Sequence, residues 1–302
     1  DIKGRLASKV RRLWFPTPYP TGNVFHSTYF TRCPHQGVPE VLTVHDMVPE
    51  IMPEHFPADV SREITMKREC ILAADRIIAI SHATASDLVA VYPEISDRVE
   101  VIHSGGQHFP VMDEVEVAAR VYDDEPYVAF VGERRSYKNF VSLLEAMTCT
   151  EWPREVKLVA IGAPFTEDER LTIQHRGLKG RVRLVIHPTD VVMRSILVKA
   201  RAFVFPSLME GFGFPLVEAQ ALGVPVVASD TAIFREIGGD AFVPVVPLEP
   251  SSIAAGVTKA LAPEMRHRLV SSGRGNLTRF SWEDCAWRTW KVWKSLASPN
   301  AS

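Results

Sequence analysis

The sequence has little cysteine and nothing arranged to use it. Its 302 residues include four cysteines, Cys33, Cys70, Cys149 and Cys285, with no C-x-x-C pair and no metal-ligand spacing. That speaks against a disulfide framework or a cysteine-based zinc site and points to free thiols in a reducing compartment. No run approaches the ~18 consecutive apolar residues of a membrane span. Asp1-Ile-Lys-Gly-Arg5 has no apolar stretch behind it, so no signal peptide is expected and the expected setting is cytoplasmic. Neither sign of charge dominates: 34 basic and 36 acidic residues leave a net charge of −2, which speaks against nucleic acid held by a basic surface. There is no solenoid-length repeat, no low-complexity tract and no Asp-x-Asp cluster to hold a divalent metal.

What is present reads as an α/β protein. The length favours two domains, and 46% apolar with 23% charged residues is a soluble globular profile. Twenty-two prolines among long apolar runs fit stiff, ordered loops. Short apolar runs alternate with helical segments, the pattern of parallel strands joined by crossover helices. Strands are expected at 23–26, 41–45, 76–80 and 99–103, then at 127–132, 156–162, 182–186, 202–206, 225–229 and 241–245. A polar, proline-bearing stretch separates the two series. The expected division is a first Rossmann-like domain over 1–112, a linker over 113–125 and a second domain over 126–280. A terminal helix over 281–302 is expected to dock back on the first domain. Its tryptophans, Trp282, Trp287, Trp290 and Trp293, recur near helical spacing and are expected to be buried packing. Four strands are few for a doubly wound domain, so one or two βαβ units of roughly 30 residues are expected to be missing ahead of Asp1.

The chemistry concentrates at two strand ends. Phe203-Val-Phe-Pro-Ser-Leu-Met-Glu-Gly-Phe-Gly-Phe-Pro-Leu-Val-Glu-Ala219 reads as a buried strand, a glycine-bearing loop and a helix. In open parallel sheets ligands bind at carboxyl ends of strands, and helix N-termini attract phosphate. Gly211 and Gly213 would bring backbone N–H groups close to a ligand. Glu210 would sit in the crevice, and Glu218, about one turn into the helix, could reach a ribose diol. Two glutamates alone equally fit an ordinary loop and a solvated helix. A second element, Val131-Gly-Glu-Arg-Arg-Ser-Tyr-Lys-Asn-Phe140, leaves another strand toward the same crevice. Its Arg134 and Lys138 are cations placed where a pyrophosphate leaving group could be neutralised, although charge runs are also commonly solvated turns.

The spacing Glu210…Glu218 within Pro-Ser-x-x-Glu-Gly-Phe-Gly-x-Pro resembles the signature of the retaining glycosyltransferases of family 4 (glycosyl transferases group 1). So does Gly132-x-Arg-x-x-Tyr-Lys-Asn-Phe140. Thr43-Val-His-Asp-Met-Val-Pro-Glu50, Ala74-Asp-Arg-Ile-Ile-Ala-Ile-Ser-His-Ala-Thr84 and Phe280-Ser-Trp282 are similar to the same family in the same order. The resemblance implies the GT-B architecture, two Rossmann-like domains facing across a cleft, the first truncated at its N-terminus. It also implies a donor site of Gly132, Arg134, Lys138, Glu210, Gly211, Phe212, Gly213, Phe214 and Glu218. In it Glu210 meets the donor sugar, Glu218 the ribose, and Arg134 with Lys138 the diphosphate. His45 would reach the transferred sugar or its phosphate from the opposite wall. Ser81 and Gly105 would lie at strand ends facing the cleft, and Asp46 would be structural. The implied donor is a UDP-, GDP- or ADP-sugar, the acceptor a saccharide or lipid-linked glycan, with no metal and no separate cofactor. The family's opening strand and glycine-rich loop are absent here, which keeps open a catalytically silent donor-binding module or another GT-B enzyme such as a sugar-nucleotide epimerase. The basic, aromatic stretch Lys3, Arg5, Lys9, Arg11, Arg12, Trp14, Phe15 fits either a solvated surface helix or peripheral contact with an anionic membrane at the inner face of the cell membrane.

Overall fold

The structure, a computed structural model, describes residues 24–106 and 125–297. The basic N-terminal stretch and all but the last residue of the expected linker lie outside the described residues. The strands form two parallel sheets. The first is built from β1 (Phe25–Ser27), β2 (Glu40–Val44), β3 (Arg76–Ala79) and β4 (Val99–Val101), in that order across the sheet. Its intervening helices are α1 (Val48–Ile51), α2 (Val60–Ala73) and α3 (His82–Val91). The second sheet holds β5 (Tyr127–Val131), β6 (Lys157–Gly162), β7 (Val182–Ile186), β8 (Ala202–Phe205), β9 (Val226–Ser229) and β10 (Val243–Val245), in the order β10-β9-β8-β5-β6-β7. Helices α4 (Phe140–Ala146), α5 (Glu167–His175), α6 (Asp190–Lys199), α7 (Phe214–Ala221), α8 (Ala232–Gly238) and α9 (Pro250–Leu261) connect or follow its strands. Two further helices, α10 (Pro263–Leu277) and α11 (Trp282–Leu296), end the described chain.

The strand pattern explains why the second sheet is covered on both faces. Side chains alternate along a strand, so β5 sends Val128 and Phe130 to one face and Ala129 to the other. The first set packs with Leu158, Val204, Leu143 and Val257, the second with Val159, Phe203, Phe205, Leu216 and Phe234. At 25 cal/mol per Å² of apolar area, each such fully buried side chain stabilises by roughly 1.5–3 kcal/mol. Crossovers on both sides leave β8 with every residue buried, which is why it reads as an unbroken apolar run. Strand order reverses between β5 and β8, placing a crevice at their carboxyl ends.

Helix ends follow local chemistry. Ser81 caps α3, its hydroxyl accepting from the Thr84 amide at 2.9 Å. Gly213, at φ +88°, turns the chain into α7, where Pro215 fits the first turn, and Gly223, at φ +68°, ends it.

The terminal helix corrects one expectation. Helix α11 buries Val292, with Cys285 and Leu296 beside it, against Val41, Ile78 and Ile102 of the first-sheet region. The tryptophans are not buried: Trp282, Trp287, Trp290 and Trp293 are 50%, 52%, 41% and 38% exposed, although Trp282 lies over Gly105 and Trp293 Nε1 donates to His26 Nδ1 at 3.1 Å. The reason is angular. Positions 285, 292 and 296 share one face of the helix, whereas 287, 290 and 293 step along its flank and opposite side. Trp287 and Trp290 stack at 4.8 Å instead, with the Lys291 and Lys294 ammonium groups over their rings.

Candidate active site

The second sheet supplies the charged wall. After β5 the chain turns at Gly132, whose φ of +139° suits glycine, and runs through a single 3-10 turn at Ser136–Lys138 to Asn139. Asn139 takes a left-handed conformation, and its Nδ2 donates to the carbonyls of Pro206 (3.1 Å) and Pro247 (2.6 Å). The Leu208 amide donates to the Tyr137 carbonyl at 2.8 Å. The loops after β5 and β8 are therefore stitched together, and Lys138 Nζ meets Glu210 Oε1 at 2.5 Å. Both side chains are largely buried, at 16% and 13% exposure, so the pair lies in the crevice and not at the rim. Burial, with the Glu210 carboxylate nearby, pushes the Tyr137 hydroxyl up to about 12.

Arg134 does not stand beside Lys138 as an open cation. Its Nε donates to Glu169 Oε1 at 2.9 Å, and its Nη2 to the carbonyls of Ala163 (2.6 Å) and Pro164 (2.8 Å). The guanidinium lies over the Phe140 and Phe165 rings and is 2% exposed. Glu169 is the reciprocal member of the Thr166 capping box on α5, so Arg134 ties the β5 loop to that helix. Of the three guanidinium nitrogens, Nη1 alone has no hydrogen-bond partner among the described residues, and it is buried near Gly162. The expectation of a guanidinium facing the cleft is corrected accordingly. A charge flanked by an acidic helix start and two carbonyls turns inward.

The first-sheet wall acts through backbone and hydroxyls. The Gly211 carbonyl accepts from Ser81 Oγ at 2.7 Å and from Thr84 Oγ1 at 3.0 Å. A Cβ on Gly211 would lie 1.7 Å from the His45 carbonyl oxygen, so only glycine lets the Glu210 loop press against the end of β2. His45 itself is exposed, its Nε2–H donating to the Thr28 carbonyl at 2.9 Å. In the neutral ring this leaves Nδ1 as the acceptor. Asp46 Oδ1 accepts from the Val48 amide at 3.0 Å. Ser81 is fully buried and does not face the cleft; the reason is its double use as helix cap and loop tether. Gly105 is packed under Trp282, where a Cβ would come within 2.3 Å of the ring, so it too is a close-approach position.

The helix after the loop carries Glu218, partly buried, with Arg194 and Asp190 of α6 nearby. Burial raises its carboxyl above the ordinary range, with Arg194 opposing and Asp190 reinforcing. Phe212 is 2% exposed and packs on Phe214 and Phe280, so its side chain belongs to the core and only its backbone borders the crevice. A pocket of about 160 Å³ opens beside this wall, lined by Tyr29, His45, Asp46, Glu63, Lys67 and Tyr137 among others. Below it Lys67 Nζ donates to Glu50 Oε2 (2.9 Å) and the Asp46 carbonyl (2.6 Å), both ionic side chains 3% exposed. Thr84, Asn139, Tyr137 and Lys67 were not singled out by sequence reasoning. Thr84, Tyr137 and Asn139 lie inside quoted motifs, but nothing in the sequence says which carbonyl a hydroxyl or amide will meet.

Comparison with known proteins gives one answer. Residues 112–276 match the family model described as Glycosyl transferases group 1, and residues 18–105 the model described as Glycosyltransferase Family 4. The chain is 27% identical over 308 residues to the O-antigen chain mannosyltransferase B of Escherichia coli, covering 97% of this chain and 79% of that protein. It is 28% identical to the alpha-maltose-1-phosphate synthase of Mycolicibacterium smegmatis, covering 87% and 74%. Its fold is similar to that of the sucrose-phosphate synthase of Thermosynechococcus elongatus, with a TM-score of 0.73 at 20% identity over 96% of this chain and 76% of that one. The Anabaena HepE protein in complex with UDP-glucose gives a TM-score of 0.67 at 20% identity over 85% and 72%.

Proposed function

Because the chain belongs to the glycosyl transferases group 1 family, we propose that it moves a hexosyl unit, mannosyl or glucosyl, from a UDP-, GDP- or ADP-sugar to a saccharide or lipid-linked acceptor, with retention of anomeric configuration. The observation that carries this reading is the Lys138–Glu210 pair at the switch point of the second sheet, with Glu218 one turn into the helix that follows the loop. Among the curated relatives, the Escherichia coli protein acts on O-antigen chains, which supports a role in surface-glycan assembly.

Departure of a nucleoside diphosphate builds negative charge on phosphate and positive charge at the anomeric carbon. Lys138 stabilises the first by exchanging its carboxylate partner for a phosphate oxygen, aided by the N-terminus of α7. The Glu210 carboxylate released by that exchange turns to the sugar and stabilises the second. Glu218 holds the ribose hydroxyls, and its raised carboxyl is brought down by those donors. Gly132, Gly211 and Gly213 let backbone approach the diphosphate and sugar, and His45 offers Nδ1 to the sugar from the opposite wall. Retention follows from attack on the leaving-group face, with no protein nucleophile assigned. The arrangement needs no metal at the donor, because fixed protein cations and amides do that work.

No helix among the described residues is long and apolar enough to cross a membrane. We place the protein in the cytoplasm, at the inner face of the membrane, with the basic stretch of residues 3–15 as the lipid contact. Sedimentation with anionic vesicles should show salt-sensitive co-pelleting, and its absence would remove this part of the reading. The donor assignment is tested by a thermal-shift panel of sugar nucleotides. A ligand at 100-fold its dissociation constant adds about 2.7 kcal/mol, and a panel without a stabilising member would overturn the assignment.

A further inference from the structure

Behind the Glu210–Gly213 loop, three metal-ligating side chains converge from three different elements. Glu236 on α8 reaches across to the first-sheet region. Its Oε1 accepts from the His82 amide and from His103 Nε2, each at 2.7 Å, and its Oε2 accepts from the Ala83 amide at 2.9 Å. The His82 and His103 rings meet edge-on at 5.6 Å. One ligand atom from each of His82, His103 and Glu236 lies within 4.8 Å of the other two. We propose that these three side chains form a site for a borderline divalent cation such as Zn²⁺, separate from the donor pocket and clamping α3 to α8.

The chemistry of the donor set selects the ion. Two imidazoles and one carboxylate suit Zn²⁺ and its neighbours in the first transition row better than Mg²⁺ or Ca²⁺, which prefer all-oxygen shells. With Zn–N and Zn–O bonds near 2.0–2.2 Å, tetrahedral ligand atoms stand about 3.3 Å apart. The His103–Glu236 contact, 2.7 Å here, therefore opens by about 0.6 Å while His82 closes in. His82 is exposed and free to make that move, and it leaves the remaining coordination position to water. On binding, the ion takes the place of the Nε2 proton that His103 shares with Glu236; an imidazolium releases that proton to solvent and a neutral ring passes it through solvent to Nδ1, so the ligand is a neutral imidazole in either case.

The surroundings are built to hold the ligands in place. His103 is flanked by the Phe212 and Phe280 rings, and Arg279 Nη2 donates to the Glu236 backbone carbonyl at 2.8 Å, leaving the carboxylate to the cluster. The site adjoins Ser81, which tethers the Gly211 carbonyl, so an occupying ion adds a cross-link where the donor loop is already pinned.

The test is a titration of the metal-free chain with Zn²⁺ followed by calorimetry, and with Co²⁺ followed by visible absorption. The expected result is one saturable site per chain, with the intense d–d bands of four- or five-coordinate Co²⁺ and a raised melting temperature. His82→Ala, at an exposed position, should lower affinity by at least about a hundredfold, since loss of outer-shell partners alone costs about 10–100-fold. His103→Ala should do the same; if that variant folds poorly, His82→Ala still decides. Absence of saturable uptake, or equal affinity in His82→Ala, would overturn the site.

Discussion

The two sheets furnish the cleft with different kinds of group. The second brings ionic side chains, Lys138 and Glu210 in the loops after β5 and β8 and Glu218 in α7. The first brings a backbone carbonyl at His45 and the hydroxyls of Ser81 and Thr84, all aimed at Gly211. One wall is chemical, and the other sets its position. Within the charged wall there is a second contrast, because the two cations of one short motif part company. Lys138 faces the crevice while Arg134 locks the β5 loop to α5.

The largest effect should follow from removing the chemical wall's carboxylate. Glu210→Ala should lower turnover by about 10²–10⁴-fold, the range for a group acting on developing charge, in an initial-rate assay with the donor identified by thermal shift. Undiminished turnover would end the assignment. Arg134→Ala should act on stability instead, costing about 3–5 kcal/mol because it strands buried Glu169. Denaturant melts check this, and Lys138→Ala, in a wetter pair, should melt closer to wild type while losing activity. A reversed pattern would mean the motif's roles are exchanged. Gly211→Ala tests the positioning wall: pushing the loop off the His45 carbonyl should cost up to about a hundredfold in kcat/KM, as expected for a misplacement of about 1 Å.

Two smaller effects sharpen the contrast. Thr84→Val removes one of two hydroxyls from the Gly211 carbonyl and should cost about 0.5–1.5 kcal/mol in melts, with KM changed less than kcat. Glu218→Gln should show a pH-dependent gain. The raised carboxyl of Glu218 favours the protonated form in the fold, so its stabilising contribution is present at acid pH and is lost as pH rises through the raised value. The glutamine variant should therefore melt higher than wild type at neutral pH, with the difference shrinking on acidification.

Much of this was legible in the sequence, and the reasons it stops are physical. Strand positions could be read because buried parallel strands are unbroken apolar runs, as in Ala202–Phe205. The places of Glu210 and Lys138 in the loops after two strands, and of Glu218 in the helix that follows, could be read because strand ends and a helix start fix them, while their roles belong to the proposal. Arg134 was misread because its fate depends on Glu169, thirty-five residues on, and on carbonyls that no spacing encodes. Ser81 and Gly105 were placed at the right strand ends, yet whether a strand-end group meets ligand or a neighbouring element is a matter of packing. The tryptophans of α11 were misread because periodicity marks a face without saying which face is covered. Here Val292 marks the covered one.

The central claim is that the two glutamates divide the donor, Glu210 to the sugar and Glu218 to the nucleotide. Its most direct test is the affinity of the matching free nucleoside diphosphate for Glu210→Ala and Glu218→Ala by calorimetry. Losing a hydrogen bond from a charged group, worth about 1.5–3 kcal/mol, should weaken binding to Glu218→Ala by roughly ten- to a hundredfold while Glu210→Ala stays near wild type. Unchanged affinity in Glu218→Ala, or the larger loss in Glu210→Ala, would contradict the division.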